Sequence, residues 1–143
     1  MVVQNILTPA AGAAYPQQPL VLVVDDDDDS LTLMAYILEQ MSCETCFVAD
    51  GIAALNAAMQ QPPHLILSDI HLPYIDGFSL IQQLRANEMT KHIPVVAVTA
   101  LASRDDRHKI LAAGFNDYVS KPFLIEQLER LVQSFITLPV TAA

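Results

Sequence analysis

With 143 residues and a formal charge of −9, from 16 Asp and Glu against 7 Lys and Arg, the chain has the size of one domain with little left over. That length buries roughly 68–70% of the unfolded surface, enough for a self-sufficient core. The acidic balance disfavours nucleic acid and anionic membranes as partners, and no run approaches the roughly 18 apolar residues that span a bilayer.

Residues 1–18 hold no charged side chain and read as a flexible N-terminal extension. No Lys or Arg precedes Arg85, and Pro9, Pro16 and Pro19 interrupt this stretch, so it is not a signal peptide. A cytoplasmic protein is the expectation. Residues 20–24 form an unbroken apolar strand that ends on Asp25. Leu31, Met34, Ile37, Leu38 and Met41 then recur at helical spacing, with Asp28 or Asp29 placed to cap the start. A short strand is expected over 45–48 and a helix over 51–60, stopped by Pro62 and Pro63. Cys43 and Cys46 have C-x-x-C spacing, but they follow a helix and run into a strand, where residues three apart face opposite sides. They read as ordinary, partly buried thiols.

Strand 64–70 delivers Asp69 at its carboxyl end, and Pro73 with Asp76 and Gly77 breaks the chain at once. A helix over 78–86, a buried strand over 93–99 and a helix over 104–113 closed by Gly114 follow. A strand over 116–120 and an amphipathic helix over 124–135, ended by Pro139, complete the domain at 19–138, with a tail over 139–143. Five β-α repeats imply right-handed crossovers and a doubly wound parallel α/β sheet. Strands that are apolar on both faces suit a sheet covered on both sides.

The carboxyl ends of parallel strands share one edge, which here receives Asp25 and Asp26, Asp69, Thr99 and Lys121. Carboxylates gathered there repel each other unless a cation intervenes. Mg²⁺ suits oxygen donors and keeps room for phosphate, while Thr99 and Lys121 offer donors for phosphoryl oxygens. A nucleophile, a metal and such donors are what phosphoryl transfer needs, which makes Asp69 the candidate acceptor.

V-V-D-D at 23–26, S-D-I-H-L-P-Y-I-D-G at 68–77, V-T-A at 98–100 and Y-V-S-K-P-F at 118–123 resemble the receiver domain of two-component response regulators, similar to the single-domain chemotaxis-type regulators. The resemblance covers about residues 19–138 and implies a (βα)5, flavodoxin-like sheet of order 2-1-3-4-5. It implies that Asp69 accepts a phosphoryl group from a sensor histidine kinase or phosphotransfer protein. Asp26 then ligates Mg²⁺ (or Mn²⁺) directly and Asp25 largely through water, with Asp69 and the backbone carbonyl of His71 completing the site. Thr99 and Lys121 contact the phosphoryl oxygens, and Tyr118 takes the switch-aromatic position. Pro122 matches a proline whose preceding peptide bond is often cis. Phosphorylation would alter the surface formed by the fourth helix, fifth strand and fifth helix, for a downstream protein the sequence does not name. A monomer or weak homodimer is expected, a phosphoacceptor and not a turnover enzyme.

Asp27 departs from the pattern, and would crowd the metal or face solvent. His71 and Leu101 replace water-positioning residues, so self-dephosphorylation should be slow, with faster decay in Leu101→Glu and His71→Asn variants as the check. Two alternatives stand beside this reading. One is a receiver module of a larger hybrid kinase or regulator. The other is a Mg²⁺-dependent phosphohydrolase with an aspartyl-phosphate intermediate, weakened by His71 where such enzymes carry a second carboxylate. An initial Met1 and the tail after Pro139 favour a complete small protein.

Overall fold

Val21 and Val23 pack into one core cluster and Leu22 and Val24 into another, the alternation a strand imposes when both its faces are covered. The computed structural model of the chain describes residues 18–101 and 103–136. The expected extension up to residue 17, the tail over 139–143 and the stop at Pro139 lie outside the described residues. Along the chain β1 (Leu20–Val24), α1 (Asp28–Gln40), β2 (Glu44–Val48), α2 (Gly51–Gln60) and β3 (Leu65–Ser68) are followed by α3 (Gly77–Ala86), β4 (Val95–Thr99), α4 (Arg104–Ala113), β5 (Asp117–Ser120) and α5 (Ile125–Phe135).

All four strand pairings are parallel, in the order β2-β1-β3-β4-β5. One core cluster joins the sheet to α1 and α5 through Met34, Ile37, Leu38, Leu128 and Val132. The other joins it to α2, α3 and α4 through Ala54, Ala58, Leu80, Ile81, Leu84 and Ile110. Each fully buried aliphatic side chain contributes about 1.5–3 kcal/mol, so the central strands β1, β3 and β4 anchor the fold. The order reverses between β1 and β3, which is where an open α/β sheet leaves a crevice at its carboxyl edge.

Three local expectations change beyond one-residue shifts at the starts of β2, α3, β5 and α5. The third strand spans Leu65–Ser68, shorter than 64–70: His64 instead accepts from Leu20 N through its ring at 3.0 Å, and Asp69 and Ile70 have turned into the following loop. The fourth begins at Val95, since Pro94 has no N–H to give a ladder. The helix cap is Asp27, whose Oδ2 accepts from Ser30 N at 2.9 Å; Asp28 and Asp29 lie inside the first turn, favourably placed at the positive end of the helix dipole. Gly114 closes α4 at φ 116°, in the left-handed region.

Candidate functional site

Backbone hydrogen bonds carry the strand ends into one cluster. Asp25 N donates to Val48 O at 3.1 Å, Asp69 N to Val24 O at 2.9 Å and Lys121 N to Thr99 O at 2.9 Å. Each residue thus leaves its strand tied to a neighbour, and residues 96 and 52 apart in sequence meet. Lys121 Nζ lies 2.6 Å from Asp25 Oδ2 and 2.9 Å from Asp69 Oδ2.

Asp25 is fully buried, and a buried carboxylate is costly without a partner. Its two oxygens are both used: Oδ2 by Lys121 and Oδ1 by Asp27 N at 2.9 Å. Asp69 is half-buried, with Oδ1 accepting from Ile70 N at 2.6 Å and His71 N at 3.3 Å. Among the described residues, Oδ2 of Asp69 has only the Lys121 ammonium as partner. For Lys121, burial works to lower the pKa, but hydrogen bonds to Asp25 and Asp69 and their charges outweigh it and hold the ammonium above its ordinary value.

Asp26 stands apart from this pair. It is exposed, and among the described residues no three His, Cys, Asp or Glu side chains come close enough to share a metal ion. Thr99 is fully buried at its strand end, and its hydroxyl oxygen accepts from Leu101 N at 3.3 Å. Tyr118 is half-buried with the guanidinium of Arg107 over its ring, 5.5 Å from the centroid. The Lys121–Pro122 peptide bond is cis, as the motif implied. Cys43 is buried and Cys46 half-buried, both free thiols.

The sequence profile of the response regulator receiver domain matches residues 21–133. The chain is 34% identical over 116 residues to the polar-differentiation response regulator DivK of Brucella abortus, covering 81% of this chain and 94% of that one. It is 32% identical over 137 residues to the sensor histidine kinase GacS of Pseudomonas protegens, covering 90% of this chain but only 15% of GacS. Among solved structures, a sensor histidine kinase receiver domain from Pseudomonas aeruginosa PAO1, with a magnesium ion coordinated in its active-site cleft, superposes with a TM-score of 0.78 at 36% identity. That match covers 83% of this chain and 98% of the other.

The chain belongs to the response regulator receiver domain family. Receiver domains are signalling proteins of two-component systems, and this one is a phospho-signalling switch. No helix among its described residues is long and apolar enough to cross a membrane.

Of the residues singled out from this receiver's sequence, the fold brings Asp25, Asp69 and Lys121 into contact. Thr99 is tied to Lys121 through its carbonyl and His71 to Asp69 through its N–H, while Asp26 and Tyr118 lie outside that contact. Asp27 neither crowds the cluster nor simply faces solvent: it caps α1 and binds Asp25 through its N–H. One neighbour of the site went unread: Arg107 over Tyr118 had no local signal, because the pairing joins α4 to β5.

Proposed function

We propose that Asp69 is the phosphoryl acceptor of this receiver, taking its group from the phosphohistidine of a sensor histidine kinase or a phosphotransfer protein. One observation carries the reading: a single ammonium, Lys121 Nζ, bridges Asp25 Oδ2 and Asp69 Oδ2. The Asp69 oxygen that this cation holds, Oδ2, is the nucleophile. As it bonds to phosphorus the P–N bond breaks, and the electron pair leaves with the donor imidazole, which takes up a proton. Lys121 then turns from the carboxylate to the transferred oxygens, and the Thr99 hydroxyl supplies a second donor.

The donors suit a hard, oxygen-seeking cation such as Mg²⁺ or Mn²⁺. Asp25 and Asp69 already converge, and Asp26 has no hydrogen-bond partner for its carboxylate among the described residues. The His71 carbonyl likewise accepts no hydrogen bond there. Asp25, Asp69 and the His71 carbonyl would hold the ion, with Asp26 joining them once its exposed carboxylate turns inward, and the ion would neutralise charge on the transferred group. A hydroxyl drawn towards the phosphoryl leaves space beside Thr99, into which Tyr118 turns, changing the α4-β5-α5 surface offered to a downstream protein. In this reading the chain is a stoichiometric phosphoacceptor in the cytoplasm, monomeric or weakly dimeric, and not a turnover enzyme.

The test is intact mass after incubation with acetyl phosphate and Mg²⁺. The parent gains one phosphoryl group and Asp69→Asn gains none. Equal labelling of the variant would move the acceptor elsewhere, and turnover of many equivalents by the parent would favour a phosphohydrolase.

A further inference from the structure

Gly51 opens α2 and is buried. A Cβ at this position would stand 2.7 Å from Ile75 O and closer still to Ile75 Cγ1. Ile75 belongs to the loop between β3 and α3, which also carries Ile70 and His71, the residues whose N–H groups hold Asp69 Oδ1. The far end of this loop rests on a second bare backbone. A Cβ at Gly77 would lie 2.7 Å from both Asp69 O and Ile70 Cα, and Gly77 N donates to Ile70 O at 2.7 Å. Just before Ile75 the loop turns sharply, with Tyr74 at φ 71° and Ile75 N donating to Pro73 O at 2.9 Å.

The C-terminal end of the 70–77 loop is therefore held on two sides by contacts too short for a side chain: Gly77 lies on the backbone of Asp69 and Ile70, and Ile75 on the first turn of α2. Glycine costs a helix up to about 1 kcal/mol relative to alanine, and Gly51 has no positive φ that would call for it. The close approach of Ile75 is what calls for it.

We infer that Gly51 is a positioning residue for phosphoryl acceptance: through Ile75, the bare first turn of α2 fixes how closely the 70–77 loop lies on β3, and hence how Ile70 and His71 orient the Asp69 carboxylate. The inference rests on Asp69 being the acceptor. In Gly51→Ala the contact to Ile75 O cannot be relieved by a side chain, so the loop itself must move. The His71 hydrogen bond, the longer of the two on Asp69, is the first to go.

The experiment compares Gly51→Ala with Ala57→Gly, a loss of helix stability one and a half turns further along α2, in the full chain. Gly51→Ala should slow labelling by acetyl phosphate about tenfold, as misplacement near a reacting atom does. Ala57→Gly should stay within about twofold of the parent. The Ile70 and His71 amide resonances should move in Gly51→Ala and hold in Ala57→Gly. Ile75→Ala, which removes the resting side chain without adding a clash, should give a smaller slowing of about two- to threefold. If Gly51→Ala does not fold, Ile75→Ala decides. Parent-like labelling with an unmoved His71 amide in the variant that folds overturns the inference, as does an equal loss in Ala57→Gly. A parent that gains no phosphoryl mass refutes the acceptor reading instead, while the amide shifts, which need no phosphoryl donor, still report whether Gly51 sets the loop.

Discussion

Two cations in this molecule are drawn partly out of water, at opposite edges of the sheet, and are held in opposite ways. Lys121, at the carboxyl edge, lies between two carboxylates. Arg85, in the last turn of α3 near the amino edge, reaches only neutral acceptors among the described residues. Its Nη1 donates to Ile93 O at 2.7 Å and Lys91 O at 3.0 Å, its Nη2 to Asn116 Oδ1 at 2.8 Å and Gly114 O at 3.1 Å, and its Nε to Gly114 O at 3.2 Å. Asn116 Oδ1 also accepts from Val95 N at 2.9 Å. The guanidinium fork therefore ties the C-terminus of α3 to the starts of β4 and β5.

The pKa directions follow from this difference. With no anion to set against burial, the Arg85 pKa is pushed down, whereas Lys121 is held above its ordinary value. A cation among carbonyls is a structural clamp, because nothing else fits the planar fork. A cation among carboxylates can exchange places with another cation or move to an arriving anion. The first arrangement gives rigidity and the second gives a switch.

The largest effect that tests this contrast is expected from Lys121→Met. It leaves the fully buried Asp25 without its cation, and removing one partner of a buried pair costs about 3–5 kcal/mol. Urea unfolding in the presence of a chelator should show a loss of that order. Millimolar Mg²⁺ should restore most of it, because a ligand bound only by the folded state stabilises it. If Mg²⁺ restores nothing, the carboxylates do not form an exchangeable cation site.

Arg85→Met should cost somewhat less, about 1–3 kcal/mol for the acceptors left unpaired, and Mg²⁺ should not recover it. Its acetyl phosphate labelling should stay close to the parent's when both are fully folded. A large drop in labelling at unchanged stability would show that the amino-edge clamp also serves the site.

Alkaline pH supplies the smallest effect and a background for the other two. Cys43 lies away from both cations, and burial pushes its thiol up from 9.0 to about 11. Its stabilising contribution is fully present below pH 9 and is lost as pH rises towards 11, because the unfolded thiol ionises first. Allowing for partial solvation, the parent should lose about 1–2 kcal/mol from this group over that range. Cys43→Ala should flatten that part of the pH–stability curve without changing the Mg²⁺ response. An unflattened curve would assign the alkaline loss to other groups.

Much of the fold was legible because its determinants are local. The bounds of β1, α2 and α4 follow from apolar runs, helical spacing, prolines and Gly114, all within a turn or two of the residues they act on. Gathering Asp25, Asp69, Thr99 and Lys121 at one edge also needed only parallel strands, and the motif resemblance supplied the strand order. Strand ends were less legible: His64 and Ile70 are as compatible with a strand as their neighbours, and only the register against β1 and β4 ends the ladder at Ser68.

The tertiary structure alone decided which charged group meets which. Nothing near Lys121 in sequence announces Asp25, 96 residues away, as its shorter contact. Nothing near Arg85 announces the carbonyls of Ile93 and Gly114. Of five consecutive aspartates, composition could not say that Asp25 is buried, Asp26 exposed and Asp27 the helix cap; the turn from β1 into α1 sorts them by pointing each carboxylate in a different direction. Gly51 likewise shows in sequence only as an unfavourable residue at a helix start, and its reason, the backbone of Ile75 pressed against it, comes from another crossover. Propensity and periodicity act along the chain over a few residues, whereas ion pairing and close backbone approach depend on distances that exist only once the crossovers have brought the strand ends together.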